Sequence, residues 1–551
     1  MSSRSTQTSL RRLRAVAAAL VAVALTVVLA ACGTDSGGDG ASAGAGDGAG
    51  GGSRTLTIGV ASDPQTLDPE FGQASRANET LKNVYAQWTQ YETVPEGDGD
   101  LRADLSKPPV GAALDSYRVS RDGRTVTLRA REGFRLPTSG QLTADDMLYK
   151  AQRLLGLNAG SVFDLNILGV TRPSQLRKVD DRTIRMSLSQ PSPIVGPMLR
   201  DQDAGLVDTQ LVRRHATDGD PWARAFVGRQ GAPTGAYLIE DYQPGNQLVL
   251  RANPGYPDQP YFERVVLKVI PSADERAQLL RNGTIDIAEE LTTDGKVRLR
   301  GVDGVRVVSV PSLGQTQLGF VLDKPPFDDV RVRRAIAAAI PYDSLVENVL
   351  SGEGAVSRGV WPSQSVWFDG DGDNPYVTDP EKARSLLAEA GAENLSFDVE
   401  ISDADADAEA LAIPVQTALA DIGVTMNIRK LNAAQFQDHL GRRSAQAWIQ
   451  SSLSPYVDDP YYITYLSWMT RSVINWYGYS SPVVDRAGEQ LAVTLDEGER
   501  RELADTIQRQ LAEDVPMVSL GEPNYLLPVR ADIRGVLWEP DGLLTYRTLR
   551  R

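Results

Sequence analysis

The N-terminal segment sets the strongest limit on what this chain can fold into. Residues 15–31 form an uninterrupted run of Ala, Val and Leu with a single Thr, and they follow four Arg residues and no acidic residue. At 17 residues the run is at the short limit for a membrane span, and a basic segment followed by an apolar one is typical of a secretory signal peptide. We therefore predict that residues 1–31 are a signal peptide and that the folded body is built from the rest.

The residues that follow the apolar run indicate lipid attachment. Residues 29–32, Leu-Ala-Ala-Cys, resemble the lipobox of bacterial lipoproteins, and Cys32 is the only cysteine in the chain. This resemblance implies that the Cys32 thiol carries a diacylglycerol. Residues 33–53 are nearly all Gly, Ala, Ser and Asp, which cannot bury apolar surface. We expect 32–53 to be a lipidated Cys and a flexible tether that holds the body at the outer face of the cytoplasmic membrane.

The composition argues against several classes of protein. There are 57 basic and 72 acidic residues, a net charge of −15, so a general nucleic-acid binder is not expected. With one Cys, and with His215 far from His439, we predict no disulfide framework, no metal centre and no cofactor. We predict no enzymatic activity. A secreted hydrolase with paired carboxylates stays an alternative, although no motif singles out such a pair.

The body alternates short strand patterns with helical ones, which predicts a mixed α/β fold. Residues 56–60 are predicted to form a strand, and 331–350 a long amphipathic helix. Thr143 is a candidate helix N-cap, with Asp146 placed to complete a capping box. Asp379 precedes a helix that begins with Pro and ends before Gly391, the usual arrangement at the two ends of a helix.

A set of short motifs resembles those of one family, in the same order along the chain. They are Thr-Leu-Asp-Pro at 66–69, Leu-Thr-Ala-Asp-Asp at 142–146, Pro-Phe-Asp-Asp-Val-Arg-Val-Arg-Arg-Ala at 326–335, Asp-Pro-Glu-Lys-Ala at 379–383 and Tyr-Gly-Tyr-Ser-Ser-Pro-Val-Val-Asp at 477–485. The family is that of the extracellular solute-binding lipoproteins of ABC importers, family 5, of the oligopeptide, dipeptide and nickel type. The resemblance covers about residues 56–535.

The resemblance implies an α/β, two-lobed fold of the periplasmic-binding-protein type (class C), with a hinged ligand cleft. Lobe I would comprise 54–311 and 519–551, with an extra subdomain inserted at about 101–231. Lobe II would comprise 312–518. Hinge closure around the ligand would produce the form that the permease recognises.

The resemblance also implies a function. The protein would capture a solute, with an oligopeptide the leading class, and deliver it as a monomer to the permease subunits of an ABC importer. Three alternatives stay open: a non-peptide organic solute, a metal chelate, or a sensor or chaperone lipoprotein of the same fold.

One loop departs from the pattern of the peptide-binding members. Those members hold the peptide's α-ammonium on an Asp four residues before a Pro, and here Tyr456 has that position before Pro460. Asp458 or Asp459 could replace the missing carboxylate, because a buried ammonium group needs a charged partner. Alternatively, these acids only form the turn before Pro460.

Aromatic residues are dense around this loop and supply further candidates. Aromatic side chains offer large contact areas with little loss of rotamer freedom, although core packing is the alternative for each. Arg358 could meet a ligand carboxylate, or lie on the surface. The candidate aromatic ligand contacts are Trp88, Trp361, Trp448, Trp468 and Trp476.

Overall fold

The chain is organised around three main β-sheets. The computed structural model describes residues 54–72, 75–201, 205–370 and 374–551. The predicted signal peptide at 1–31 and the predicted lipid site and tether at 32–53 lie outside the described residues. Across those described ranges, no helix combines the length and the apolar character needed to cross a bilayer.

The first sheet forms around the strand Thr55–Val60, whose Leu56, Ile58 and Val60 are buried in its core. This strand pairs in parallel with Arg264–Val269 and with Ile287–Ala288. We refer to the part of the molecule built on this sheet as lobe I. The seven strands in spatial order are Tyr237–Gln243, Gln247–Ala252, Arg264–Val269, Thr55–Val60, Ile287–Ala288, Tyr525–Arg530 and Val305–Val310.

The second sheet has Gln315–Phe320 near its centre, a strand whose six residues are all buried. It pairs antiparallel with Ala447–Leu453 on one side and with Met517–Pro523 on the other. We refer to the part built on this sheet as lobe II. The six strands in spatial order are Gly354–Ala355, Met517–Pro523, Gln315–Phe320, Ala447–Leu453, Ser396–Ser402 and Thr425–Leu431.

The third sheet lies between strands of the first sheet in chain order, and its strands all fall within 101–231. In spatial order they are Leu176–Asp180, Thr183–Ser187, Thr125–Ala130 and Leu114–Val119. The smaller sheets comprise Leu537–Trp538 with Asp100–Ala103 and Thr93–Gly97, Thr89–Gln90 with Val110–Gly111, and Arg135–Leu136 with Gly140–Gln141.

The helices cover the sheets, and their ends follow the capping rules. The Thr143–Asp146 capping box is present, and Asp379 and Gly391 cap the two ends of their helix, as predicted. The α-helices are Ser75–Val84, Ala144–Leu157, Phe163–Ile167, Val195–Met198, Thr209–His215, Arg224–Gln230, Ala273–Arg281, Thr293–Val297, Val330–Ala339, Tyr342–Ser344, Pro380–Ala390, Ala408–Ala420, Ala433–Gly441, Pro460–Ile463, Pro482–Leu491 and Glu497–Asp514. Two π-helical turns span Leu345–Val349 and Thr464–Trp468, and 3₁₀ turns span Pro69–Phe71, Gly160–Val162, Pro173–Gln175 and Tyr546–Thr548.

The predicted helix at 331–350 is wrong as a single element. The helix Val330–Ala339 ends at Ile340, whose backbone is extended. Pro341 follows, and proline disfavours helical geometry in the residue before it and cannot donate a backbone hydrogen bond. A short helix at Tyr342–Ser344 and a π-helical turn then complete the segment.

Two short segments connect the two large sheets. The chain leaves the first sheet at Val310, enters the second at Gln315, and returns from Pro523 to Tyr525. The strand Met517–Pro523 stays in the second sheet throughout, because it pairs with Gln315–Phe320. The predicted lobe boundary at 518 therefore falls inside a strand, and the chain leaves lobe II only after Pro523.

Apolar packing also joins lobe II to the region of the third sheet. Phe163 contacts Tyr462 edge-on, with ring centroids 5.9 Å apart, and lies 5.8 Å from the ring of Tyr465. Residues from both regions form one continuous buried cluster. In the described conformation, lobe II thus packs against the third-sheet region.

Candidate ligand site

The loop at 454–459 lies where the two lobes meet. It follows the second-sheet strand Ala447–Leu453. The Asn78 amide, on the lobe I helix Ser75–Val84, donates to the Tyr456 hydroxyl at 3.0 Å. The Ser454 hydroxyl donates to the carbonyl of Pro540 in lobe I at 2.9 Å. Tyr456, which stands four residues before Pro460, is therefore an interlobe contact.

The carboxylate of Asp458 is engaged within lobe II. It accepts hydrogen bonds from the Ser365 hydroxyl at 2.5 Å and from the Val366 backbone N–H at 3.1 Å. The indole of Trp367 donates to the backbone carbonyl of Asp458 at 3.2 Å. Burial raises the pKa of Asp458 to about 6. Through these hydrogen bonds, Asp458 connects the turn at 365–367 to the loop.

The carboxylate of Asp459 is also engaged within lobe II. Asp459 is the N-cap of the helix Pro460–Ile463 and accepts from the Tyr461 backbone N–H at 2.8 Å. Its other oxygen lies 2.5 Å from the guanidinium of Arg500, and both side chains are buried. Burial raises the pKa of Asp459, and Arg500 opposes that shift. Both loop acids therefore already have donors, which favours the turn interpretation over that of a free ammonium anchor.

Three of the predicted aromatic candidates have buried indole groups. Trp448 and Trp468 lie on the two sides of Tyr477, with ring centroids 5.0 and 4.7 Å from it. Within the described part of the chain, the indole nitrogens of Trp448, Trp468 and Trp361 have no hydrogen-bond partner. Buried donors are nearly always paired, so these three N–H groups can each donate a hydrogen bond to a ligand oxygen or to a water molecule.

Amide groups of the second sheet lie beside these rings. The Tyr477 hydroxyl donates to the side-chain oxygen of Gln317 at 2.7 Å, and Gln317 donates to Gln450 at 3.3 Å. Trp448 packs over Gly319, where a Cβ would lie only 2.3 Å from the indole. Gly319 is a residue that sequence reasoning missed, because its role depends on the antiparallel pairing of Gly319 with Trp448.

The remaining candidates lie apart from this loop or are less enclosed. Trp88 follows the helix Ser75–Val84 and lines a water-sized apolar cavity, about 20 Å³ in volume, together with Leu154 and Met198. Arg358 is exposed, and its guanidinium donates to the Gly370 carbonyl at 2.8 Å, so it belongs to a surface turn of lobe II. Trp476 is half-buried and packs against the aromatic cluster.

Lobe I contributes a buried charged cluster that sequence reasoning missed. The guanidinium of Arg76 forms ion pairs with Glu79, Glu289 and Glu290. Burial and the two neighbouring carboxylates raise the pKa of Glu289, against the effect of Arg76. The available signal was a pair of adjacent acids directly after the apolar strand Ile287–Ala288.

Two further contacts join the lobes. The backbone N–H and hydroxyl of Thr293 donate to the carboxylate of Asp407, at 3.1 and 2.8 Å. Near the connecting segments, Glu353 pairs with Arg300 and accepts from the Ser309 hydroxyl at 2.7 Å. Among the residues that the structure covers, no group of three or more His, Cys, Asp or Glu side chains is arranged to hold a metal ion.

The chain matches known proteins over most of its length. The model of the bacterial extracellular solute-binding proteins, family 5, matches residues 108–472, about two thirds of the chain. The probable D,D-dipeptide-binding periplasmic protein of Escherichia coli K12 is 28% identical, over 88% of this chain and 92% of the relative.

Solved structures share the fold. A periplasmic binding protein of Helicobacter pylori associated with an ABC transporter, in complex with the peptide STSA, superposes with a TM-score of 0.77 at 19% identity, over 90% of this chain and 97% of the other. A binding protein of A. tumefaciens R10 in complex with agropinic acid superposes with a TM-score of 0.75 at 17% identity, over 90% of this chain and 98% of the other.

Proposed function

Since this chain belongs to the bacterial extracellular solute-binding proteins of family 5, we propose that it captures a peptide between its two lobes and delivers it to the permease of an ABC importer. The observation that carries the proposal is the interface between the lobes. Two short segments connect the large sheets, and the opposing surfaces meet through side-chain contacts such as Asn78–Tyr456 and Thr293–Asp407. Such contacts can exchange between open and closed forms while each sheet stays intact.

Peptides are the leading ligand class because the relatives with peptide-binding names match most of the chain. A peptide presents carbonyl oxygens, and the three unpaired indole N–H groups of lobe II supply donors for them. Ligand affinity drives closure only to the extent that the closed form binds more tightly than the open one. No step of this function requires catalysis.

A non-peptide organic solute is the second candidate. It is favoured by Tyr456 in place of the anchoring carboxylate and by the internal pairing of Asp458 and Asp459. The agropinic acid complex of a protein with this fold is consistent with a ligand of that class.

The proposal includes the location of the protein. The lipobox-like residues 29–32 support attachment through Cys32 at the outer face of the cytoplasmic membrane. From there a monomeric body on a tether of 21 residues, 33–53, would have a reach of about 25 Å. That arrangement keeps the body close to a membrane-embedded permease.

Native mass spectrometry of the purified protein, compared with the same sample after denaturation, tests the ligand class. A series of adducts that differ by amino-acid residue masses supports the peptide proposal. One discrete adduct of another composition supports the second candidate. Failure to retain any member of a peptide library or of a panel of organic solutes contradicts both.

A further inference from the structure

The Glu289 carboxylate is buried but incompletely hydrogen-bonded. Its side chain is 6% exposed, and one oxygen accepts a hydrogen bond from the guanidinium of Arg76. The other oxygen, Oε1, has no hydrogen-bond partner within the described ranges. Leaving such a group unpaired is unfavourable, and more so when the group is charged. Within the described ranges this oxygen is therefore a buried acceptor that lacks a donor from the protein.

The two neighbouring carboxylates have complete sets of partners. Glu79 accepts from Arg76 at 2.8 Å, from the Tyr546 hydroxyl at 2.6 Å and from a backbone N–H at 3.2 Å. Glu290 accepts from Arg76 at 3.1 Å and from a backbone N–H at 2.5 Å. Of the three acids around this guanidinium, Glu289 is thus the one with an unpaired oxygen.

The cluster also carries more negative than positive charge. Three carboxylates surround the single guanidinium of Arg76. Lys296 adds a second cation, but it also faces Asp407 of lobe II, which adds a fourth carboxylate. Arg276 adds a third cation, because its guanidinium donates to the backbone carbonyls of Glu289 at 2.8 Å and of Glu290 at 2.6 Å. When all of these groups are ionised, the four acids outnumber the three bases by one. A ligand cation would reduce this imbalance, and burial makes that compensation stronger than it is in water.

The cluster lies between two contacts that join the lobes. On one side, Asn78 shares a helix with Arg76 and donates to Tyr456. Its side-chain oxygen also has no partner in the described chain and offers a second acceptor. On the other side, Thr293 follows Glu289 by four residues and binds Asp407. A group bound here would therefore contact the edge of lobe I that faces lobe II.

We propose that Glu289 binds the ammonium group of the ligand, so that lobe I, and not the loop at 456–459, supplies the carboxylate for an amine. The inference rests on the proposed function and narrows the ligand class to peptides, or related amino compounds, with a free amino group. It explains how a member of this fold can dispense with an acid at Tyr456 while Asp458 and Asp459 serve only the loop.

The test compares retention of two probes by the refolded full-length protein, measured by native mass spectrometry. One probe is an equimolar mixture of natural dipeptides, and the other is the same mixture after N-acetylation. We expect the wild type to retain the unmodified peptides at least about tenfold better, the difference that loss of one charged hydrogen bond produces. Glu289→Gln should abolish that preference. Glu263→Gln, which removes the same charge from an exposed lobe I carboxylate outside the cluster, should keep it.

Each other outcome overturns the inference. The inference fails, while the proposed peptide binding stands, in three cases. The wild type retains both mixtures equally, Glu289→Gln keeps the preference, or Asp458→Asn abolishes it. If neither mixture is retained, peptide binding fails, and the inference fails with it. If Glu289→Gln does not fold, Glu289→Asp takes its place in the test. This variant retains the charge, but its side chain is shorter by one methylene, so the carboxylate lies farther from the ligand. A several-fold smaller preference is then expected, and an unchanged one contradicts the inference.

Discussion

Arg500 and Asp459 form a buried ion pair, 2.5 Å between Nη2 and Oδ2, that joins two helices of lobe II. Asp459 caps Pro460–Ile463, and Arg500 belongs to Glu497–Asp514. The pair therefore fixes the end of the candidate ligand loop to the long helix behind it. Tyr456, which contacts lobe I, lies three residues before this attachment.

Removing the acid of this pair should be strongly destabilising. Asp459→Ala leaves a buried guanidinium without its carboxylate, and we expect the free energy of unfolding to fall by about 3–5 kcal/mol. Asp329→Ala is a matched control, because Asp329 is also an N-cap paired with an arginine, Arg331, but that pair is exposed. The control should lose about 1 kcal/mol. Urea denaturation measures both, and equal losses would contradict the role assigned to burial.

The stability of the protein should vary with pH through Asp458. Burial raises its folded-state pKa to about 6, above the unfolded value of about 3.9, so the folded state binds the proton more tightly. This contribution is fully present below pH about 4 and is lost as the pH rises through about 6. Asp458→Asn should reduce the fall in unfolding free energy across that interval, measured by urea denaturation at several pH values. If the unfolding free energy of the two proteins fell equally with pH across this interval, Asp458 would not be the group responsible.

Gly319 should not tolerate a side chain. The methyl group of Gly319→Ala would lie 2.3 Å from the indole of Trp448, and overpacking of this kind is unfavourable by about 1–3 kcal/mol. Gly219→Ala is the control, since its Cβ would meet no atom within 4 Å. Thermal unfolding and near-ultraviolet circular dichroism report the loss of packing around Trp448. A Gly319→Ala protein as stable as the control would show that the indole can move aside.

Tyr456 should contribute to ligand binding more than to folding. Tyr456→Ala removes an aromatic contact at the interlobe surface and the acceptor for Asn78. We expect ligand affinity to fall by about tenfold or more, with little change in the unfolding transition. Tyr261→Ala removes a partly exposed tyrosine of lobe I and should leave affinity unchanged. Isothermal titration with the ligand identified by mass spectrometry provides the comparison, and equal affinities for the two variants would remove Tyr456 from the site.

Membrane attachment should depend on one sulfur atom. Cys32→Ala removes the only thiol of the chain, so the protein should move from the membrane fraction to the soluble extracellular fraction. Ser36→Ala, four residues further along, should stay with the membrane. Fractionation followed by immunoblotting distinguishes the two, and continued tight attachment of Cys32→Ala would contradict lipidation at this position.

Local features of the fold could be predicted from the sequence because they depend on neighbours in the chain. The Thr143–Asp146 capping box is an example, since both of its hydrogen bonds form within one helical turn. The break in the predicted helix at 331–350 also had a local cause in Pro341, but the amphipathic pattern continues through it. Periodicity alone therefore overstated the length of that helix.

The candidate site was harder to predict because its partners are distant in sequence. Asp458 and Asp459 stand next to each other, yet one binds Ser365 and the other binds Arg500. The contact between Asn78 and Tyr456 spans 378 positions. Sequence motifs identified the loop, but only the packing of the helices decides which of its acids are already paired. The Glu289 cluster was missed for the same reason.

The two connections between the large sheets differ in length, which restricts the relative movements that are open to the lobes. One connection has four residues, 311–314, whereas the other is Asn524 alone. Asn524 is hydrogen-bonded to both lobes. Its backbone N–H donates to the Glu353 carbonyl of lobe II at 3.0 Å, and its side-chain amide donates to the Ser309 hydroxyl of lobe I at 3.1 Å. A one-residue link permits rotation of one lobe relative to the other about the dihedral angles of that residue, but almost no translation of one lobe past the other. We therefore expect the lobes to open by rotation about Asn524, so that a side chain far from it, such as Tyr456, would be displaced more than one close to it.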